Sequence, residues 1–344
     1  LNSYNFYKNI YGGKMKKYFA IIVLFFSLIG FNSANSAEHI AFFAASSENG
    51  FNQAVYEGVE AKAKEMGATS KMFNGEFNAV VQAQQIEDAI ASKEFDGFVV
   101  LPNDSVGIAN FVQEAIDAGI PTATTLFPIG PDLTSIKPQV KGITATVIHP
   151  VIEGATWQAD AVVDEGCKGI DPCNVIIIIG QKIYPFDNLR LETFRKVLSA
   201  HSNIKVVSEV MGNYDPDTAL AGVQDALQAN SGTQIHVILS NADQHLVGAD
   251  IALEDAGYVV EDLFLMGGGA SAIGLDMVRA GRWDYTKGDF PYSLGTYGTE
   301  AVIKHIRGEP YESEINMDER GPVPGLINKA VLDKFPDFKG EWKG

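Results

Sequence analysis

From Ile40 to Arg307 the chain alternates short unbroken apolar runs with longer stretches whose apolar positions return every three or four residues. The first unit shows both patterns. Ile40–Ala45 is continuously apolar, as a strand covered on both faces must be. The loop Ser46–Asn52 is polar except for Phe51, and Val55, Val59, Ala63 and Met66 then line one helical face up to Gly67, a residue suited to a left-handed helix stop. The same reading predicts strands at Lys71–Phe73, Gly97–Leu101 and Thr122–Leu126, with helices at Val80–Ala91 and Val106–Ala118. A proline- and glycine-containing connection, Gly130–Lys141, breaks the rhythm. It resumes with a helix at Val151–Val163 and strands at Val175–Ile179, Lys205–Val210, Ile235–Leu239, Phe264–Met266 and Tyr285–Lys287. Helices beginning at Leu189, Thr218, Leu246, Ile273 and Leu294 alternate with them, and past Arg307 only a proline-rich tail is read.

Strand–helix repeats of about 30 residues mean right-handed βαβ crossovers onto a parallel sheet. A length of 344 residues exceeds one ordinary hydrophobic core. The fold class is therefore α/β, with two doubly wound parallel-sheet lobes.

Residues 1–37 stand apart from this pattern. Met15-Lys16-Lys17 makes a basic start, Phe19–Phe31 is apolar apart from Ser27 and Gly30, and the small polar segment Asn32–Ala37 follows. Such a stretch is too short for a membrane span and has the build of a secretory signal peptide, cleaved near Ala37, with Leu1–Lys14 as a start-site extension. No cysteine near the cleavage site offers a lipid anchor, so the expected product is exported and free. Of the 26 basic residues four fall in this segment, which has no acids, so 22 basic face 43 acidic side chains beyond it. That surface repels phosphate backbones and anionic membranes, which excludes nucleic acid as a partner. Cys167 and Cys173, in CKGIDPC, are read as a local disulfide of an oxidising compartment.

Open parallel sheets bind ligands beyond the carboxyl ends of their strands. The loops there carry Asn49, Phe51 and Asn52, then Asn103, Asp104 and Ser105, then Thr125, Leu126 and Phe127. In the second half they carry Gln181, Tyr184, Phe186, Asp187 and Arg190, then Tyr214 and Asp215, then Asn241, Asp243 and Gln244, and finally Gly268–Ser271, Asp289, Pro291 and Tyr292. Amides and carboxylates that make paired hydrogen bonds, with rings to cover C–H faces, suit a hydroxyl-rich small molecule. Asp104, Asp217 and Asn188 precede predicted helices and are read as N-caps. Asp215 and Asp243 are read as structural, and Trp157 as core or interface. The six histidines show no i,i+3 or i,i+4 pairing, so no metal site is expected. Neither a nucleophile elbow nor a Walker loop is present. Gly267–Ala272 fits G-x-G-x-x-A but lies late in the second half, where a tight turn is the simpler reading and a dinucleotide-binding enzyme the alternative.

The order and spacing of ENGFNQAVYEGVEAKAKEMG, FDGFVVLPNDSVG, DAGIPTATTL, NLRLETFRKVL, SNADQHLVGADIALEDAG and GDFPYSLGTYGTEAVIKHIRGEP resemble those of periplasmic sugar-binding proteins of ABC transporters, of the ribose-binding type. The resemblance implies two lobes, 38–145 plus 290–318 and 146–289 plus 319–344, joined by three crossing strands that close on a ligand. It implies a monomer without cofactor or catalytic residues, binding a sugar, polyol or sugar acid and serving a permease of the inner membrane. Asn49, Phe51 and Asn52 are similar to the first-lobe contacts of that family. Arg190, Tyr214, Asn241 and Asp289 resemble its second-lobe and hinge contacts, and Tyr184 and Phe186 stand in the same loop as Arg190. Two positions depart: an Asp-Arg pair expected after the fourth strand is Leu126-Phe127, and an expected aspartate is Gly269. These changes imply a bulkier or less hydroxylated ligand stacked on Phe127, or a carboxylate-bearing one should Arg190 lack an acidic partner. A sensory protein of the same fold, presenting its ligand to a receptor kinase or chemoreceptor, fits the same residues.

Overall fold

The computed structural model describes residues 37–344, so the expected leader lies outside the described residues. Two six-stranded sheets organise the chain. In the first, β1 (His39–Ala44) lies between the edge strand β2 (Thr69–Asn74) and β3 (Gly97–Val100), with β4 (Thr122–Leu126) and β5 (Ala145–Ile148) beyond β3. In the second, β6 (Cys173–Ile179) takes the place of β1, flanked by β7 (Ile204–Met211) and β8 (Val237–Ser240), with β9 (Phe264–Gly268) and β10 (Tyr285–Lys287) following. All of these strands pair in parallel. The strand order reverses beside β1 in one lobe and beside β6 in the other. Ligand crevices of doubly wound sheets form at such reversals.

Helices cover both faces. In the first lobe α1 (Gly50–Glu65) and α9 (Pro291–Ile306) share one face, while α2 (Ala79–Ser92) and α3 (Ala109–Asp117) take the other. In the second lobe, in chain order, come α4 (Val151–Ala161), α5 (Pro185–Ser199), α6 (Pro216–Ala229), α7 (Asp243–Asp255) and α8 (Ala272–Ala280). Each lobe has one very close helix crossing built on glycine. A Cβ on Gly58 would lie 2.0 Å from the Tyr292 carbonyl oxygen, and one on Gly248 would lie 2.1 Å from that of Pro216.

The structure corrects the sequence reading at several element ends. The third helix starts at Ala109 rather than Val106, because Asp104 Oδ1 accepts from Val106 N in a separate turn. Asp217 is not an N-cap; Asp215 caps α6, its Oδ1 accepting from Thr218 N at 2.8 Å, and Pro216 occupies the first helical position. Asn188 is not an N-cap either, since Pro185 starts α5 four residues ahead of the apolar periodicity and Asn188 Nδ2 donates to Lys182 O. The strand β5 went unread. The tail is more than a tail: β11 (Glu314–Asn316) extends the first sheet parallel to β5, and β12 (Leu326–Asn328) extends the second antiparallel to β10. Three-residue strands carry too little alternation to be legible.

The chain passes between lobes three times, at 149–150, at 288–290 and between β11 and β12. Phe290 is fully buried among these crossings; a Cβ on Gly288 or Gly321 would press on its ring at 2.5 and 2.0 Å. Trp157 is half-buried beside the third crossing, where a Cβ on Gly325 would lie 3.0 Å from its ring.

Cys167 and Cys173 are joined in a disulfide that closes the turn into β6. Replacing both by serine should lower the unfolding free energy by about 2 kcal/mol, the loop-closure entropy of a short ring. Urea titration of the double variant checks this; an unchanged midpoint would mean the turn holds itself.

Candidate functional site

Between the lobes lies a narrow cavity of about 80 Å³, partly open to solvent. It is lined by all ten residues singled out as ligand contacts: Asn49, Phe51, Asn52, Phe127, Tyr184, Phe186, Arg190, Tyr214, Asn241 and Asp289. They reach it from the loops after β1, β4, β6, β7, β8 and β10.

The first loop divides its work. Asn49 is the N-cap of α1, its Oδ1 accepting from Phe51 N at 3.0 Å and Asn52 N at 3.2 Å. Asn52 is buried; its Oδ1 accepts from Ala45 N at 2.9 Å and its Nδ2 donates to Asn49 Oδ1. Two amides therefore fix the loop, so that Phe51 stands at the cavity wall.

Phe127 is placed by strained backbone. Leu126 has φ of +69°, and the reversal is held by Phe127 N donating to Thr125 O and by Thr124 Oγ1 donating to Phe127 O. A non-glycine residue there costs about 1–3 kcal/mol and persists only where its surroundings enforce it. The result is an aromatic stack across the cleft: Phe127 of one lobe lies parallel to Phe186 of the other, centroids 3.6 Å apart, with Tyr184 stacked on Phe186 at 5.6 Å. The Tyr184 hydroxyl donates to Phe77 O at 2.9 Å, a second link between lobes.

Second-lobe polar groups form one network. Asp187 is fully buried; its Oδ2 accepts from Gln181 N at 2.7 Å and its Oδ1 from the Tyr214 hydroxyl at 2.6 Å and Asn241 Nδ2 at 3.3 Å. Arg190 NH1 stands 3.4 Å from the same oxygen, and its guanidinium lies 5.4 Å from the Phe127 centroid and 5.9 Å from that of Phe186. Burial raises the Asp187 carboxyl above the usual range, although Arg190 and the Tyr214 hydroxyl pull against it. Tyr214 has φ of +56°, and its N–H donates to His245 Nε2 at 2.9 Å. Burial lowers His245 to about 3, so the ring is neutral and its Nε2 is the acceptor that holds Tyr214 in place.

Asp289 belongs to the hinge as well as the cavity. Its Oδ1 accepts from Lys287 Nζ at 2.6 Å; the same ammonium reaches Asp318 Oδ1 at 3.0 Å and His149 Nδ1 at 3.1 Å. Thus all three crossings meet at one buried lysine.

Two cavity-lining amides are incomplete. Asn103 Oδ1 and Asn241 Oδ1 are buried and accept from no protein group, while their nitrogens are engaged. Each is an acceptor awaiting a donor, and an unpaired buried acceptor is disfavoured by about 1–3 kcal/mol.

Sequence reasoning missed Phe77 and Trp342, and it named Asn103, Gln244 and Gly268 only as loop residues. Phe77 follows β2 as Phe51 follows β1, so its strand-end position was a usable signal. Trp342 offered none. The glycine turn also resolves here: Ala272 N donates to Trp342 O, Ile273 N to Lys343 O and Gly274 N to Ser271 Oγ. The N–H groups a dinucleotide phosphate would need are therefore occupied. Asp243 is structural, accepting from Ser271 and Thr286. Among the described residues no cluster of His, Cys, Asp or Glu could hold a metal ion, and no helix is long and apolar enough to cross a membrane.

Residues 40–310 match the sequence profile of the periplasmic binding protein domain family. The chain belongs to the periplasmic binding protein family. This binding protein has the type I architecture, two parallel-sheet lobes joined by three crossings. It is 24% identical over 309 residues to a protein of Rhizobium meliloti named as a candidate rhizopine-binding protein, covering 88% of this chain and 94% of that one. It is 25% identical over 244 residues to the D-apiose import binding protein of Actinobacillus succinogenes, covering 70% and 73%. A crystal structure of a galactofuranose binding protein superimposes with a TM-score of 0.76 at 19% identity, covering 88% of this chain and 98% of that one.

Proposed function

We propose that this periplasmic binding protein is the solute-binding component of an ABC importer. It holds a sugar or polyol between its lobes and delivers it to a permease of the inner membrane. One observation carries the reading: an inter-lobe cavity walled by aromatic rings, in which Asn103 Oδ1 and Asn241 Oδ1 lack donors. Ligand hydroxyls supply those donors, and C–H faces lie against the rings. Arg190 already has Asp187 as its acidic partner, so an uncharged ligand fits better than a sugar acid.

The relatives' named ligands are rhizopine, D-apiose and galactofuranose, and this chain takes a molecule of their general kind. It acts as a monomer without cofactor or turnover. Its leader, cleaved near Ala37, sends it to the periplasm as a free protein. We divide it into lobes of 38–145 plus 290–318 and 146–289 plus 319–344, and the pairing of β5 with β4 supports placing the first edge at residue 148.

A thermal-shift screen against pentoses, hexoses, deoxy sugars, furanosides, inositols and sugar acids tests the proposal. Ligand at 100 times its Kd adds about 2.7 kcal/mol of stability, a readily visible shift. A flat response across the panel overturns the sugar reading. With a sugar that binds, Phe51→Ala should weaken affinity roughly tenfold, about 1.4 kcal/mol, through loss of a ring at the cavity wall. Equal titrations of wild type and variant would remove Phe51 from the site.

A further inference from the structure

The C-terminal stretch Phe338–Lys343 belongs to neither sheet, yet it touches both lobes beside the cavity. On the second lobe its backbone caps α8: Trp342 O accepts from Ala272 N at 2.8 Å and Lys343 O from Ile273 N at 3.1 Å. On the first lobe Glu341 caps α9, its carboxylate accepting from Ser293 N at 2.9 Å and from Ser293 Oγ at 2.5 Å. Phe338 meets the hinge residue Phe290 edge to face at 6.1 Å.

Trp342 stands between these anchors. It is buried, lines the cavity, and packs edge to face against Phe51 of the first lobe at 5.5 Å. Its Nε1 donates to Gly269 O of the second lobe at 2.6 Å. Gly269 has φ of +107°, and a Cβ there would stand 2.7 Å from the indole, so the turn is shaped around this ring. With Nε1–H already engaged, the indole offers a ligand only apolar surface.

We propose that Phe338–Lys343 is a strap that ties the two lobes together beside the cleft, and that Trp342 is a ligand-contacting wall selecting for an apolar face of the bound molecule. The second half of this inference rests on the cavity being a sugar site; the first half does not. A strap anchored to both lobes must release one anchor for the cleft to open, which sets it apart from the three covalent crossings that bend with the hinge.

Two measurements test it. Small-angle scattering of the ligand-free protein compares wild type with Trp342→Ala and with the Glu341→Gln/Ser293→Ala pair, each verified as folded by circular dichroism. Both variants are expected to show a larger radius of gyration, because the lobes spread when the strap loses an anchor. Scattering curves that superimpose on wild type overturn the strap. Calorimetric titration then uses a sugar from the screen that binds the wild type. Trp342→Ala is expected to weaken it roughly tenfold or more, and Trp342→Phe much less, since a phenyl ring keeps the apolar face. Equal affinity of Trp342→Ala and wild type overturns the wall. A wild type that binds no sugar of the panel defeats the sugar reading and the wall together, while the scattering comparison still decides the strap.

Discussion

Replacing Lys287 with methionine is expected to lower the unfolding free energy by about 3–5 kcal/mol, the usual effect of removing one partner from a buried ion pair. The reason lies in what the ammonium holds. Asp289, Asp318 and His149 come from three different crossings, are all buried, and converge on Lys287 Nζ within 3.1 Å. Methionine fills the space but removes the ammonium that bridges two buried carboxylates, and it unties the hinge as well as destabilising the fold.

The pH dependence has a definite sign. Burial by itself raises Asp318, but the Lys287 charge and the His149 hydrogen bond outweigh it and hold the carboxyl at about 2. Burial likewise raises Asp289, and the Lys287, His149 and Arg190 charges bring it below the usual value. A depressed carboxylate contributes stability that is present above its unfolded pKa near 4 and is lost as pH falls through the folded value. In the methionine variant this contribution is gone. The gap between wild type and variant should therefore be widest above about pH 4 and narrow towards pH 2. Urea unfolding at neutral and acidic pH reads both effects. A difference below about 1 kcal/mol at neutral pH would mean the cluster contributes no more than a surface pair.

Arg190→Ala is the second large effect, and it appears in affinity. The guanidinium faces the Phe127 and Phe186 rings and lies beside Asp187, whose carboxylate also organises Tyr214 and Asn241. Alanine removes the cation over the rings and leaves a fully buried Asp187 without a counter-charge. Asp187 then takes up a proton or shifts, and the positions of Tyr214 and Asn241 change with it. Affinity for a binding sugar should fall roughly tenfold or more, and Arg190→Lys should not restore it, because an ammonium cannot lie flat on a ring and donate sideways together. Calorimetry with the same ligand for all three proteins is the measurement. An alanine variant that titrates like wild type would exclude Arg190 from recognition.

Much of the cavity was legible because its residues obey local rules. Asn49, Phe51, Phe127, Tyr184, Arg190, Tyr214, Asn241 and Asp289 all follow the carboxyl ends of strands, and strand ends can be read from short apolar runs. Asn49 shows where this reading is limited. A cap and a contact leave the same mark on the sequence, and here one asparagine caps a helix with its oxygen while lining the cavity. Asp217 and Asn188 failed as caps for a local reason: a proline in each case fixed the helix start, and the apolar periodicity began later.

The sequence by itself determined the alternation of strands and helices, the two lobes, the cysteine pair and the loops that meet at the cleft. The alternation and the loops rest on side-chain periodicity within a few turns of chain, the lobe count on chain length and the cysteine pair on its short spacing. Only the tertiary structure decided that Arg190 is already paired, that the Gly267–Ala272 turn is closed by the tail, and that Trp342 walls the cavity. It also decided that His149, Lys287, Asp289 and Asp318 form one hinge cluster. His149 and Asp318 are separated by 169 positions, and Trp342 and Gly269 by 73. Contacts at such range arise from where the chain crosses between lobes, and no periodicity along the sequence encodes a crossing.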